Sequence, residues 1–361
     1  MPANPSPTTV LHYVDRWLEL SAGFVHAHVR HSRHRAVVVS REPLINAATF
    51  PHRPVHTLAP LLRVATPVLS RPRLLTAGLA AAALAHRARV VHVHFGYAVD
   101  DVVGAVRRLR LPLVVSLHGH DATAVPRENP RHYEKATQLA SAVVVPSRYF
   151  RDIAESLGFP GGRIHVIPAG VDTTFFTPTP LPDAPVVSFV GRLVEKKGVD
   201  VLAKAWPAVR EAVPGVRLEV LGEGPLADLL PQDVLREAPD PARRAEQVRD
   251  ALRRARVVVT PSRAGPDGDS ESLLLVNLEA QASGRPVVTT NHGGIPEYVD
   301  SGRTALVVPE NSPAELARSL VSVLLDHDIA RRLAAAGPVW ARDFDVRGCT
   351  SRVDDLYDDL V

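Results

Sequence analysis

A single cysteine, Cys349, excludes an internal disulfide and with it a disulfide-built secreted scaffold. Long apolar runs are missing too. The longest, Leu74 to Ala85, is alanine-rich and well short of the ~20 residues that span a bilayer. The first residues, MPANPSPTTV, show no basic stretch leading into an apolar one, so no signal peptide is read there. Lysine is scarce. Almost all the basic charge is arginine, scattered along the chain, whereas a dedicated nucleic-acid binder concentrates it. The net charge is only +3, from 42 basic and 39 acidic residues, and the 16 histidines are mostly neutral at pH 7. A cytoplasmic protein with no nucleic-acid partner is expected.

What is present points to packed α/β structure. Apolar residues make up 45% of the 361 positions and charged residues 22%, which excludes disorder for the bulk of the chain. At roughly 100–200 residues per domain, two domains are favoured over one. Short β-branched runs alternate with helix-like segments. Strands are expected at Thr9–Tyr13, Ala36–Ser40, Val90–His94, Leu113–Leu117, Ala142–Pro146 and Arg163–Ile167. Their continuous apolar character is that of strands buried on both faces of a parallel sheet. Ser147 opens a helix that Gly158 ends. Residues 177–185, TPTPLPDAP, carry four prolines in nine positions, where neither helix nor central strand survives. This is read as the domain boundary. The alternation then restarts, with strands at Val186–Val190, Arg217–Leu221, Arg256–Thr260, Pro286–Thr290 and Ala305–Val308. Helices are expected at 199–213, 273–283 and 313–325, and the tail from Trp340 is acidic and amphipathic. The fold class is therefore α/β, with two Rossmann-like domains.

Ligands of such sheets sit at the carboxyl ends of the strands, so the residues just past each strand are the candidates. GRLVEKKG places Arg192 and Lys197 there, two cations suited to a phosphate-bearing ligand or to a solvated turn. LGEGP supplies Gly222 and Gly224 for a tight turn and a close backbone approach. Further on, Glu271 lies at the mouth of a helix and Glu279 two turns inside it. A carboxylate in that apolar helix needs partners, either ribose hydroxyls or an arginine. In NHGGIPE, the amides of Gly293 and Gly294 either face a pyrophosphate or simply make a turn. In the first half, VHVHFG and LHGHD bring together His92, His94, His118, His120 and Asp121. No CxxC or HExxH accompanies them, so no metal is assigned. His118 is instead expected at a strand end, where its ring can reach a substrate oxygen. His26, His28, His31 and His34 read as surface or helix-face residues, and Cys349 gets no catalytic role.

Taken in order, the motifs form a recognisable series. It runs YVDRWLELSAGFVHAHV (13–29), VHVHFG (91–96), VVSLHGHD (114–121), VVVPSRYF (143–150), IHVIPAGVDTTFF (164–176) and FVGRLVEKKGVD (189–200), then LGEGPL, VVVTPSR, ESLLLVNLEAQASGRPVVTT and HGGIPEYV. The series resembles the retaining, GT-B-fold glycosyltransferases of family GT4, the "glycosyl transferases group 1", and above all the colanic-acid and exopolysaccharide type. The resemblance implies two Rossmann-like domains facing a cleft. Residues 1–178, completed by the tail 340–361 crossing back, would hold the acceptor, and 184–339 the nucleotide sugar. It further implies that Arg192 and Lys197 neutralise the diphosphate. Glu271 and Glu279, spaced as the family's E-x7-E pair, would contact the donor sugar and the ribose. His118 would point at the reacting sugar. Gly222, Gly224, Ser272, Gly293 and Gly294 would line the donor.

On this basis the partners are a nucleoside-diphosphate sugar and a hydroxyl-bearing acceptor, a glycan, a lipid-linked sugar or a secondary metabolite. No cofactor and no metal are expected, and weak peripheral membrane contact and the oligomeric state are left open. The family pattern usually has Gly where Ser272 stands, and Gly or Pro where Leu274 stands, so a Cβ is expected to reshape the diphosphate loop. The SETF-like segment is only partly kept, as Ser21-Ala22-Gly23-Phe24. A V-x-F-x-G strand after the GEGP turn is missing, replaced by a helical-looking stretch. A GT-B-fold sugar-nucleotide epimerase and a non-catalytic sugar-nucleotide-binding or scaffold protein remain as alternatives.

Overall fold

Valine-rich runs form strands buried on both faces. VVHVH at β4 (Val90–His94) and VVVT at β11 (Val257–Thr260) are buried at every residue. The computed structural model describes residues 7–19, 22–64, 70–129 and 131–361, so the expectation for Ser21 lies outside the described residues. The chain divides into two units, Met1–Ala169 with Arg347–Val361, and Gly170–Val346.

Unit 1 holds a seven-stranded sheet in the order β3-β2-β1-β4-β5-β6-β7. Its other strands are β1 (Thr9–Val14), β2 (Arg35–Ser40), β3 (Val55–Thr57), β5 (Leu113–Ser116), β6 (Ala142–Val145) and β7 (Ile164–Val166). All neighbours pair in parallel. One face packs Leu11, Val93 and Val115 on Leu79 and Val102 from two crossover helices. Over Val10, Val90 and Val114 on the opposite face lies the C-terminal helix Val346–Asp359, which buries Val353, Leu356 and Tyr357. Each such side chain contributes ~1.5–3 kcal/mol when fully buried. Polar contacts fix the helix further: Asp354 accepts from Ser32 Oγ at 2.6 Å and Arg33 N at 2.9 Å, and Arg33 pairs with Asp355 at 2.8 Å.

Unit 2 repeats the plan with six parallel strands, β10-β9-β8-β11-β12-β13. These are β8 (Val186–Val190), β9 (Arg217–Leu221), β10 (Leu235–Glu237), β12 (Val287–Thr290) and β13 (Ala305–Val308), with β11 as given. The order reverses between β8 and β11, the point at which such sheets open a crevice for a ligand.

Two features differ from the sequence expectation. The stretch after the GEGP turn does contain a strand, β10, although the sequence pattern lacks one. It is three residues long and exposed throughout, so no apolar run marks it. The proline-rich stretch at 177–185 belongs to unit 2, and so do residues 340–346. Arg285 holds the proline stretch there: fully buried, its guanidinium donates to the carbonyls of Thr179 (2.9 Å), Pro180 (3.3 Å), Leu252 (2.8 Å) and Arg253 (3.3 Å). It ties the proline segment to the carboxyl end of the helix Arg244–Arg254. Burial lowers its pKa to about 10, still charged at neutral pH.

Candidate functional site

In unit 2 the strand ends converge on a charged cluster. After β8 the chain runs through Arg192 to a short turn, Glu195–Lys197, that closes on Gly198. Gly198 has φ +66°, and a Cβ there would sit 1.8 Å from the Pro261 carbonyl, so only glycine lets the turn approach the loop after β11. That approach delivers Lys197 Nζ to Glu271 Oε1 at 2.6 Å, with the lysine side chain 17% and the glutamate 7% exposed. Lys196 reaches Asp269 at 2.8 Å and Glu271 at 4.0 Å. Burial lowers the Lys197 ammonium against the pull of Glu271. Burial alone would raise the Glu271 carboxyl, but Lys197 and Lys196 hold it below its ordinary value. Arg192 is exposed, and its charge is felt at Lys197. The solvated-turn reading is thus set aside for Lys197: it is locked in a largely buried pair. Asp269, the last residue of Asp267-Gly268-Asp269 in the loop before Glu271, lies in this same cluster.

The glycines act through close approach. A Cβ on Gly222 would lie 1.9 Å from the Gly191 carbonyl, and one on Gly224 2.4 Å from that of Leu193. The two strand-end turns therefore pack backbone to backbone, with Leu193 N–H donating to Glu223 O at 2.8 Å. Gly294 N–H donates to the Glu271 carbonyl at 2.8 Å, so this amide supports the glutamate and is not free for a pyrophosphate. Ser272 and Leu274 are buried, and Leu274 has φ −103°. Neither is among the residues of positive φ, so this loop does not depend on glycine at either position. Glu279 lies in the helix Leu275–Ala282, and burial raises its pKa to about 7, opposed by Arg244.

In unit 1, His118 follows β5, and its ring packs against Phe24 (4.6 Å between centroids) and Phe95 (4.9 Å) and stacks over His94 (5.9 Å). Burial drops its pKa to about 3, so the imidazole is neutral. Asp121 supports the backbone at this point. Its carboxylate accepts from the amides of His118 (2.9 Å), Gly119 (2.8 Å) and Gly96 (2.9 Å), joining the loops after β4 and β5. The sequence showed Asp121 beside His118 but not that it braces both loops.

His28 and His34 are not surface residues. The half-buried His28 lies with buried His12 and His92 in a layer between the sheet and the C-terminal helix, and His34 is buried beside it. Tyr357 Oη lies 3.0 Å from His28 Nε2 and 2.5 Å from His92 Nδ1, and His92 Nε2 lies 2.7 Å from Ser116 Oγ. Burial holds His12 and His92 well below the ordinary histidine value. One nitrogen from each of His12, His28 and His92 lies within 4.8 Å of the others, a spacing compatible with a metal ion. Both nitrogens of His92 are already hydrogen-bonded, whereas His12 Nε2 is buried without a hydrogen-bond partner; Tyr357 pins the set from the C-terminal helix.

Two parallel sheets, each with a charged or aromatic set at its strand ends, define a Rossmann-like two-unit protein of the GT-B class. Residues 23–175 match the family described as Glycosyltransferase Family 4, and residues 184–326 the one described as Glycosyl transferases group 1. The D-inositol 3-phosphate glycosyltransferase of Nocardiopsis dassonvillei is 30% identical over 307 residues, covering 74% of this chain and 69% of that one. The chain belongs to this glycosyltransferase family.

Escherichia coli K12 WcaL, named for colanic acid biosynthesis, is 33% identical over 70% of this chain and 66% of its own. The GDP-mannose-dependent alpha-(1-6)-phosphatidylinositol monomannoside mannosyltransferase of Mycobacterium tuberculosis H37Rv is 32% identical over 63% and 64%. The chain thus spans slightly less than two thirds of the length of these two relatives. Among solved structures, Anabaena Alr3699/HepE in complex with UDP and glucose superposes with a TM-score of 0.79 at 19% identity, over 97% of this chain and 99% of that one. Among the described residues no helix is long and apolar enough to cross a membrane.

Proposed function

We propose that the chain is a retaining glycosyltransferase, moving a sugar from a nucleoside-diphosphate sugar to an acceptor hydroxyl. The observation that carries this is the buried Lys197–Glu271 pair beside exposed Arg192 at the strand ends of unit 2. In this reading unit 2 binds the donor. Lys197, Arg192 and the N-terminal amides of the helix Leu275–Ala282 stabilise charge that develops on the diphosphate as the glycosidic bond breaks. Glu271 contacts the sugar and Glu279 the ribose, with Gly222, Gly224, Ser272 and Gly293 lining the donor. His118, from the acceptor-binding unit 1, orients the reacting sugar. The acceptor oxygen adds on the face the diphosphate leaves, and no enzymic nucleophile is needed. WcaL, named for colanic acid biosynthesis, the GDP-mannose-dependent mannosyltransferase, and UDP with glucose in the Anabaena structure support a nucleotide-sugar donor and a glycan or lipid-linked acceptor. Action in the cytoplasm is part of the proposal, with peripheral membrane contact where the acceptor is lipid-linked.

A thermal-shift screen with UDP-, GDP-, ADP- and TDP-sugars tests it. At about 100 Kd a true donor adds ~2.7 kcal/mol, so one nucleotide class is expected to raise Tm by several degrees. EDTA is expected to leave that shift intact, because Lys197 and Arg192 supply the positive charge. No shift with any class sinks the reading. Loss with EDTA, restored by magnesium or manganese, sinks its metal-free form, and epimer formation in place of slow nucleotide release sinks transfer.

Glu279 adds a pH signature. Its carboxyl is raised to about 7, and donated ribose hydroxyls favour the ionised form. Nucleoside diphosphate affinity is therefore expected to weaken as pH falls through about 7. In Glu279→Gln that step is expected to vanish. An unchanged profile in the variant refutes the ribose contact.

A further inference from the structure

We propose that His292, held by Glu310, is a positioning residue that fixes the backbone of Glu271 for reaction with the donor sugar. The proposal rests on the reading of Glu271 as a sugar contact. His292 follows β12 and is 4% exposed. Its Nε2 lies 3.2 Å from the Glu271 amide nitrogen. A backbone N–H only donates, so Nε2 must carry the lone pair and Nδ1 the hydrogen. Nδ1 in turn lies 2.9 Å from Glu310 Oε1, which accepts that hydrogen. One neutral tautomer is thereby selected from both sides.

Glu310 does a second task. Its Oε2 accepts from Ala264 N–H at 3.0 Å, so one carboxylate ties down both the histidine and the start of the loop that carries Glu271. The neighbouring residues complete the grip. Gly294 N–H donates to the Glu271 carbonyl at 2.8 Å. Gly293 has φ +55°, and a Cβ there would sit 2.3 Å from the same carbonyl oxygen. Glu271 is thus held at its N–H, at its C=O and, through Lys197, at its carboxylate. The ion pair fixes only the end of a flexible side chain. Without His292 the peptide can shift while the carboxylate stays on Lys197, and a displacement of ~1 Å at a reacting site costs roughly 100-fold in rate.

The test uses the full chain and whichever of UDP-glucose, GDP-mannose, ADP-glucose and TDP-glucose the unaltered protein hydrolyses. His292→Leu keeps much of the volume and removes the contacts to the Glu271 amide, to Glu310 and to Ser270 Oγ, which also lies 3.2 Å from Nε2. Binding of the free nucleoside diphosphate is expected within about threefold of the unaltered protein, with kcat for the sugar nucleotide lower by about 50- to 100-fold. His292→Gln, whose amide can accept from Glu271 and donate toward Glu310, is expected to recover about tenfold of that loss. Glu271→Gln is measured in parallel. If it abolishes turnover while His292→Leu stays within about threefold, positioning fails and the sugar contact stands. If Glu271→Gln keeps full turnover, or no probe is hydrolysed by the unaltered protein, the underlying reading fails and the proposal with it. If His292→Leu weakens nucleotide binding and turnover together and His292→Gln restores neither, the role is merely structural and the proposal is overturned.

Discussion

Lys197→Ala is expected to lose about 30- to 1000-fold in transfer rate, roughly 2–4 kcal/mol of transition-state stabilisation, and to lose fold stability as well. The second loss follows from the geometry. Nζ sits 2.6 Å from a Glu271 oxygen in a largely buried pair. Removing one partner of a buried pair strands the other charge, at a cost of about 3–5 kcal/mol when burial is complete. Here Lys196, 4.0 Å away, offsets part of that cost. The two losses separate in a second variant. Lys197→Met with Glu271→Gln removes both charges, so stability is expected to return while activity stays low. The pair also sets an acid limit. The lysines hold the folded Glu271 carboxyl below its ordinary value. Its stabilisation is therefore present above the unfolded carboxylate pKa and is lost as pH falls through the lower, folded one. A Lys197→Ala protein that is folded and nearly fully active removes the phosphate clamp from the mechanism.

Interior strands were legible because burial on both faces leaves an unbroken apolar run. β4, β8 and β9 begin and end where the sequence placed them, and so does β13, though it lies at the sheet edge. The edge strands β3 and β10 are three residues each and only half-buried or exposed, so nothing in composition separates them from loop. The positions of the candidate residues past the strand ends were legible for a related reason: the topology forces a turn there, and GRLVEKKG or NHGGIPE is unusual in a plain turn. What stayed hidden is long-range. Nothing local to Lys197 says that its partner is Glu271, or that Glu310 reaches back to Ala264 and His292. His28 looked like a helix-face residue because its burial depends on Tyr357, which arrives from the far end of the chain. Arg285 likewise reads as one surface arginine among many until its carbonyl partners are seen, and those partners draw the proline segment into unit 2.

His118→Ala is expected to lower kcat about 100-fold or more while leaving free nucleoside diphosphate binding within about threefold, since the proposed reading puts the nucleotide's own contacts in unit 2. The ring is neutral, with burial holding its pKa to about 3, so in the proposed reading it donates a hydrogen bond to a sugar hydroxyl and does not supply charge. Fixing the sugar in this way favours the developing oxocarbenium geometry, where small misplacements are costly. A purely structural histidine is the competing account, and the packing gives it some weight. Phe24 and Phe95 lie 4.6 and 4.9 Å from the ring, so alanine leaves a gap and is expected to cost about 1–2 kcal/mol of stability. His118→Phe resolves this, because it restores ring packing without an N–H. The positional role predicts that phenylalanine recovers Tm and leaves kcat as low as alanine does. The structural role predicts that Tm and kcat recover together. Asp121 holds the backbone amide of His118 in either variant, so the loop itself is expected to keep its course. Recovery of most of the kcat in His118→Phe would take His118 out of the reaction.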